Sequence, residues 1–122
     1  MIFHSPGNAQ GTLSQRIAHQ ITTKVIDQAD YLIDLHSGDG NEALRPYVYM
    51  PVTGDAGFDM KIKGLAVAFG LDHIVIDTGP QHASGPSLFT DQTALVRGIP
   101  AITTETGQSG SNDPYWSGLA TS

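Results

Sequence analysis

The stretch ADYLIDLHSGDG, residues 29–40, decides the fold. Its near-continuous apolar run predicts a short strand that is covered on both faces of a sheet and ends at a polar, glycine-containing turn. Asp34 and His36 interrupt the run at a spacing of two, so both side chains leave the same face. Open α/β sheets place their chemistry at the carboxyl ends of such strands. A lone histidine at a strand end is often structural instead, so the stretch by itself leaves both roles open.

The segment before this strand predicts a helix over residues 11–29. Thr12 and Gln15 have the spacing of a capping box at its start. Apolar residues recur along one side at helical spacing and predict the buried stripe of the helix. That stripe consists of Leu13, Ile17, Ile21, Val25 and Ile26.

The segments after the strand continue the alternation of helices and strands. Prolines on both sides of residues 46–50 predict a half-exposed edge strand there. The remaining predicted elements are a helix that follows Asp55 and ends at Gly70, a strand over 73–77, a weaker helix over 87–97 and a strand over 101–105. This order predicts an α/β fold whose sheet is mostly parallel or mixed and is flanked by helices.

Length and composition limit what the chain can be. With 122 residues it is expected to form a single domain over 1–122, with a loop-rich tail at 107–122. The 12 acidic against 6 basic residues argue against nucleic acid and anionic membranes as partners. The sequence contains no apolar run of about 18 residues, so no transmembrane helix is expected, and its first residues do not predict a signal peptide. The absence of cysteine excludes thiolate metal sites and fits a cytoplasmic location.

A second predicted strand, residues 101–105, also ends in a functional group, the carboxylate of Glu105. If the two strands are parallel neighbours, His36 and Glu105 lie at the same edge of the sheet. A histidine ligand and a carboxylate base are components of a hydrolytic zinc site. Catalytic zinc usually has three protein ligands, and spacing alone offers one. Neither H-x-x-E nor H-E-x-x-H occurs in the sequence.

Three segments together resemble the succinylglutamate desuccinylase/aspartoacylase family of the zinc carboxypeptidase-like superfamily. They are GTLSQRIAH (11–19), ADYLIDLHSGDGNEALRPYVYMP (29–51) and GIPAITTETG (98–107). The resemblance extends over residues 6–110 and implies a partial zinc carboxypeptidase-like fold. It also implies hydrolysis of the amide bond in small N-acyl amino acids or similar molecules.

The resemblance assigns roles to individual residues. His36, the histidine of D-L-H, matches the third zinc ligand, and Glu105, which opens E-x-G, matches the general acid/base. Asp34 would support His36 from the same face. Arg45 and Arg97 are candidates for binding a substrate carboxylate, although either is equally well a solvated surface arginine.

The sequence also departs from the family pattern. The H-x-x-E pair that supplies the other two zinc ligands is missing, as is the asparagine–arginine pair expected before Pro6-Gly7. The all-β carboxyl-terminal part common in the family is missing too. We therefore expect a catalytic-domain fragment, explained by a truncated reading frame, by a degenerate inactive homologue, or by a partner chain that supplies the missing ligands.

Two functions from different classes follow. The first is a zinc-dependent deacylase of N-acyl amino acids, of which this chain is part. The second is a non-catalytic, metal-free α/β module that keeps only the fold. In either case an open sheet edge predicts self-association into a homo-oligomer.

Overall fold

The computed structural model describes residues 6–38, 40, 44–79 and 89–107. Within these ranges the chain forms three α-helices, a 3-10 turn and four strands. The helices are α1 (Leu13–Lys24), α2 (Ala56–Phe69) and α3 (Thr90–Leu95), and the 3-10 turn is Ile26–Gln28. The strands are β1 (Leu32–His36), β2 (Tyr47–Pro51), β3 (Ile74–Asp77) and β4 (Ala101–Glu105). Apart from Gly107, the predicted tail lies outside the described residues.

The four strands form one mixed sheet in the order β1-β4-β2-β3. β1 pairs with β4 in parallel, β3 pairs with β2 in parallel, and β2 and β4 are antiparallel. The predicted α/β class and mixed sheet are thus confirmed. The predicted edge position of β2 is wrong, because β2 lies between two strands. Pro46 precedes β2 and Pro51 is its last residue, so neither interrupts the hydrogen bonds of the strand interior.

The hydrophobic core lies where α2 packs on β2 and β4, and where α3 packs on β4 and β1. Ile62 of α2, Val48 of β2 and Ile102 of β4 are fully buried there. Burial of each large aliphatic side chain stabilises the fold by about 1.5–3 kcal/mol. The cluster also contains Ile26, Met50, Ala66, Ala94, Leu95 and Ala101.

The helix boundaries are set by the predicted caps. Thr12 and Gln15 form the capping box: the Gln15 side chain accepts from Thr12 N–H at 2.8 Å, and the Thr12 hydroxyl accepts from Gln15 N–H at 3.4 Å. Asp55 caps α2 by accepting from Phe58 N–H, and α2 ends at Gly70 with φ of 86°. No helix in the described part of the chain is long and apolar enough to cross a membrane.

The predicted buried stripe of α1 is only partly buried. Ile26 belongs to the core and Ile21 packs against it, but Leu13 is 71% exposed and Val25 and Ile17 are also exposed. The face that α1 buries carries Ala18 and Thr22. Helical spacing identifies which apolar residues share a face, but not whether another element lies against that face.

β1 is an edge strand, and its predicted cover on both faces is wrong for the described residues. Ile33 and Leu35 are exposed, Leu35 by 57%. Leu32 N–H donates to Pro100 O, and His36 O accepts from Thr106 N–H, so the even-numbered residues of β1 bond to β4. Because bonding alternates along a strand, the backbone N–H and C=O groups of Ile33 and Leu35 point away from β4.

Candidate functional site

The candidate site lies at the carboxyl edge, which we define as the edge of the sheet where β1 and β4 end and β2 begins. His36, the last residue of β1, pairs in register with Glu105, the last residue of β4. Tyr47, the first residue of β2, pairs with the same Glu105 from the other side. The parallel pairing of β1 and β4 thus brings together the two strand ends that the sequence singled out.

The imidazole of His36 lies between two carboxylates. Its Nε2 is 3.2 Å from Asp34 Oδ2, and its Nδ1 is 3.7 Å from Glu105 Oε1. Asp34 reaches the ring from the same strand because residues two apart share a face. The Glu105 side chain is the least exposed of the three, at 16%. A proton-accepting group is therefore partly shielded from water and lies next to an imidazole.

This geometry suits His36 as a metal ligand. Metal-binding histidines commonly give one ring nitrogen to a carboxylate, which fixes the ring and leaves the other nitrogen for the metal. Asp34 contacts Nε2 in this way, and Nδ1 faces the Glu105 side. Within the described ranges, however, no group of three His, Cys, Asp or Glu side chains is arranged to hold a metal. The described residues therefore offer His36 as one candidate ligand and do not form a complete metal site by themselves.

Gly107 allows the two strand ends to remain close together beyond Glu105. Thr106 N–H donates to His36 O at 2.9 Å, which extends the β1–β4 contact past both strands. Gly107 has φ of 117°, and a Cβ at this position would lie 3.2 Å from Ser37 Cβ. Any other residue here would be strained and would crowd Ser37, which explains the glycine in the E-x-G segment.

Sequence reasoning missed two aromatic residues of the site. Tyr47 and Tyr49 alternate along β2 and therefore share a face, and their register partners Glu105 and Thr103 put that face beside the site. The rings meet edge to face with centroids 5.0 Å apart. The alternation is visible in PYVYMP, but the antiparallel pairing of β2 with β4 is not encoded locally.

Arg45 lies near the carboxyl edge, just before β2, but it is bound to another group. Its Nη2 is 2.8 Å from Asp72 Oδ2, and both side chains are mostly exposed. Asp72 also contacts His73 Nδ1 at 2.9 Å. Hydrogen bonds from His73 and then from Arg45 hold the pKa of Asp72 below its ordinary value. A substrate carboxylate would have to compete with Asp72 for this arginine.

Arg97 lies at the opposite edge of the sheet from His36 and Glu105. It follows α3 and precedes the start of β4, whereas the site lies where β4 ends. Its Nε donates to Asp27 Oδ1 at 2.6 Å, and its Nη1 donates to Thr93 O at 3.0 Å. The structure therefore does not bring Arg97 to the site, and these contacts connect α3 to the 3-10 turn after α1.

Known proteins share the sequence pattern of this chain. The family model of the succinylglutamate desuccinylase/aspartoacylase catalytic domain matches residues 5–115. A curated relative, the N-alpha-acetyl-L-2,4-diaminobutyric acid deacetylase of Halomonas elongata, is 28% identical over 110 residues. That match covers 89% of this chain and 31% of the relative.

Solved structures share the fold. A succinylglutamate desuccinylase/aspartoacylase from Rhodobacter sphaeroides matches with a TM-score of 0.81 and 24% identity, over 97% of this chain and 33% of its own. The product-bound ectoine utilization protein EutE (DoeB) from Ruegeria pomeroyi matches with a TM-score of 0.82 and 22% identity, over 97% and 35%.

The chain thus spans about a third of the length of these relatives. The match of the family model nevertheless covers almost all of it, including both strand ends of the carboxyl edge. The chain belongs to the succinylglutamate desuccinylase/aspartoacylase family.

Proposed function

We propose that this chain carries part of the catalytic site of a zinc-dependent deacylase that hydrolyses the amide bond of N-acyl amino acids. The observation that carries the proposal is the placement of His36 Nδ1 and Glu105 Oε1 3.7 Å apart at the carboxyl edge. Family membership supports the reaction class, since the family model is that of the desuccinylase/aspartoacylase catalytic domain. His36 and Glu105 divide the work between metal binding and proton transfer.

Glu105 is the proton carrier in this proposal. Its carboxylate takes a proton from the attacking water as the oxygen bonds to the carbonyl carbon, and returns it to the nitrogen as the C–N bond breaks. The products are a carboxylate and a protonated amine, which together contain all the atoms of the amide and the water. Zinc, if held at this site, would polarise the carbonyl and lower the pKa of water. His36 would be one ligand of that zinc, held in orientation by Asp34.

The substrate is proposed to be a small N-acyl amino acid. The curated relative from Halomonas elongata is named for an N-acetylated diaminobutyric acid, and the family for N-succinyl and N-acyl aspartate substrates. Arg45 remains a proposed contact for a substrate carboxylate, because its loop leads into β2 at the carboxyl edge. Its release from Asp72 would be required.

The direct test is Glu105→Gln, assayed with N-acetyl and N-succinyl amino acids in the presence of zinc. The substitution removes the proton carrier and keeps the side-chain shape, so we expect the rate to fall about 100-fold to 10,000-fold. Asp30→Asn is the matched control, because it removes an exposed carboxylate that precedes β1, at the opposite end of that strand from His36. Near-normal turnover by Glu105→Gln would contradict the assignment.

A second candidate function is a non-catalytic α/β module that binds no zinc. It is favoured by the lack of a three-ligand group among the described side chains. Metal analysis after extensive dialysis separates the two candidates. Stoichiometric zinc argues against the non-catalytic module, whereas absent or loosely held zinc together with no amide hydrolysis supports it.

A further inference from the structure

Glu105 occupies the middle of a row of side chains that crosses the sheet. His36 of β1 and Tyr47 of β2 are both its register partners, one through the parallel pair and one through the antiparallel pair. Register partners in either kind of pair point to the same face of a sheet. Directly opposite residues have Cβ atoms about 4.5–5.5 Å apart, so Tyr47 borders the Glu105 side chain on the side away from His36.

The ring of Tyr47 is itself held in place. It meets the Tyr49 ring edge to face at an interplanar angle of 88°, and the two hydroxyl oxygens are 3.5 Å apart. Both residues are half-buried, and neither belongs to the hydrophobic core cluster. Edge-to-face pairs of this kind stabilise a fold beyond the area that they bury. A braced aromatic ring thus stands beside the proposed proton carrier.

We propose that Tyr47 is a positioning residue for Glu105. Its ring packs along the Glu105 side chain from β2 and keeps the carboxylate on the His36 side, where Oε1 lies 3.7 Å from Nδ1. A glutamate side chain at a strand end otherwise samples several rotamers, and restricting them beforehand reduces the entropy lost when it acts. Whether this positioning serves catalysis rests on the proposed function, whereas the packing of Tyr47 against Glu105 does not.

The packing is tested by NMR on the whole 122-residue chain. Three-bond couplings report the rotamers of Glu105 in the unsubstituted protein and in Tyr47→Val, Tyr47→Phe and Tyr49→Phe. Valine keeps a good strand former but removes the ring. We expect one dominant Glu105 rotamer in the unsubstituted protein and in both phenylalanine variants, and averaged couplings in Tyr47→Val.

Two results overturn the proposal. A single Glu105 rotamer that persists in Tyr47→Val shows that the ring is not needed, and averaging in Tyr47→Phe as large as in Tyr47→Val shows that the ring is not sufficient. If Tyr47→Val does not fold, the unsubstituted protein still decides. Nuclear Overhauser contacts between the Tyr47 ring and the Glu105 γ-protons are then expected, and their absence refutes the packing.

An activity measurement addresses the catalytic meaning separately. We expect Tyr47→Val to lower kcat by about 10-fold to 100-fold with a smaller change in KM, because small misplacements of a reacting group have effects of this size. Tyr47→Phe should restore the rate to within about twofold of the unsubstituted enzyme. Hydrolysis that is unaffected by Glu105→Gln refutes the proposed function alone, since the rotamers of Glu105 are measured without substrate.

Discussion

The two edge strands of the sheet, β1 and β3, resemble each other closely. Each is parallel to its neighbour and exposes aliphatic side chains, with Leu35 57% and Ile76 61% exposed. An Asp–His pair also lies next to each strand, and both pairs are at the carboxyl edge of the sheet. Asp34 contacts His36 at 3.2 Å beside β4, and Asp72 contacts His73 at 2.9 Å beside β2.

The two Asp–His pairs differ in the third charged group that lies beside them. On β1 it is Glu105, a second carboxylate whose side chain is 16% exposed, so the histidine faces negative charge in a partly shielded place. On β3 it is Arg45, which neutralises an aspartate whose side chain is 69% exposed. A cation is attracted to the first cluster and gains little from the second. Whether an Asp–His pair forms a candidate site therefore depends on the charge of the residue that a neighbouring segment places beside it.

The largest expected contrast between the two pairs is in zinc binding. Zinc titration followed by histidine NMR signals should perturb His36 at lower zinc concentrations than His73. Removing the carboxylate that orients a ligand typically weakens metal binding about 10-fold to 100-fold. We expect Asp34→Asn to have this effect on His36, and Asp72→Asn to leave the response of His36 unchanged. Equal zinc responses of His36 and His73 would contradict the expected difference between the two Asp–His pairs.

We expect a smaller difference between β1 and β3 in self-association, because among the described residues neither strand is paired on its outer side. On β3, His73 and Asp77 carbonyls accept from β2, so the backbone groups of Ile74 and Ile76 point outward, as those of Ile33 and Leu35 do on β1. Charges on an edge suppress strand pairing. We expect Leu35→Lys or Ile76→Lys alone to leave small oligomers in light scattering, and the double variant to be monomeric. A monomeric unsubstituted protein would contradict this expectation.

The smallest effect concerns acid stability. The pKa of Asp72 is held low by its hydrogen bonds with His73 and then Arg45. A lowered pKa in the folded state gives stability that is present above the unfolded value of about 3.9 and is lost as pH falls. We expect the Tm of Asp72→Asn to fall slightly less steeply than that of the unsubstituted protein below pH of about 4. An identical slope would show that the exposed pair contributes nothing to stability.

A second lowered pKa serves as a reference for this measurement. Burial raises the pKa of Asp59, but hydrogen bonds from the Thr53 side chain, Thr53 N–H and Gly54 N–H lower it more. These contacts, at 2.7, 2.8 and 3.1 Å, fasten the turn before α2. Asp59 should therefore follow the same direction of pH dependence in both the unsubstituted protein and Asp72→Asn, which leaves the difference between them to Asp72.

The local features of the fold were predictable from the sequence, and its long-range pairings were not. The capping box at Thr12 and Gln15 and the end of α2 at Gly70 depend on neighbouring residues, and both were confirmed. The central position of β2 depends on its antiparallel contact with β4, whose residues lie more than fifty positions away in the chain. The same contact brings Tyr47 to Glu105, which is why spacing alone did not reveal it.

The candidate site was predictable to a similar extent. Two strand ends with His36 and Glu105 indicated a shared edge, and the parallel β1–β4 register places them side by side. The two arginines could not be placed from the sequence, since their partners Asp72 and Asp27 come from other segments. Charge type is visible in a sequence, but the partner that neutralises a charge is set by the tertiary fold.

Within the part of the chain that the structure describes, β1 and β3 each have one side without a paired strand, so we expect each molecule to offer two pairing surfaces, like a bifunctional monomer in polymer chemistry. A protein with one open edge stops at a pair, whereas one with two open edges grows into a linear chain whose mean length rises with concentration. A variant in which one of these edges is blocked, such as Leu35→Lys, would then end the growth of an assembly, as a chain stopper does in polymer chemistry. Added in small amounts to the unsubstituted protein, it should shorten the assemblies in proportion to its mole fraction.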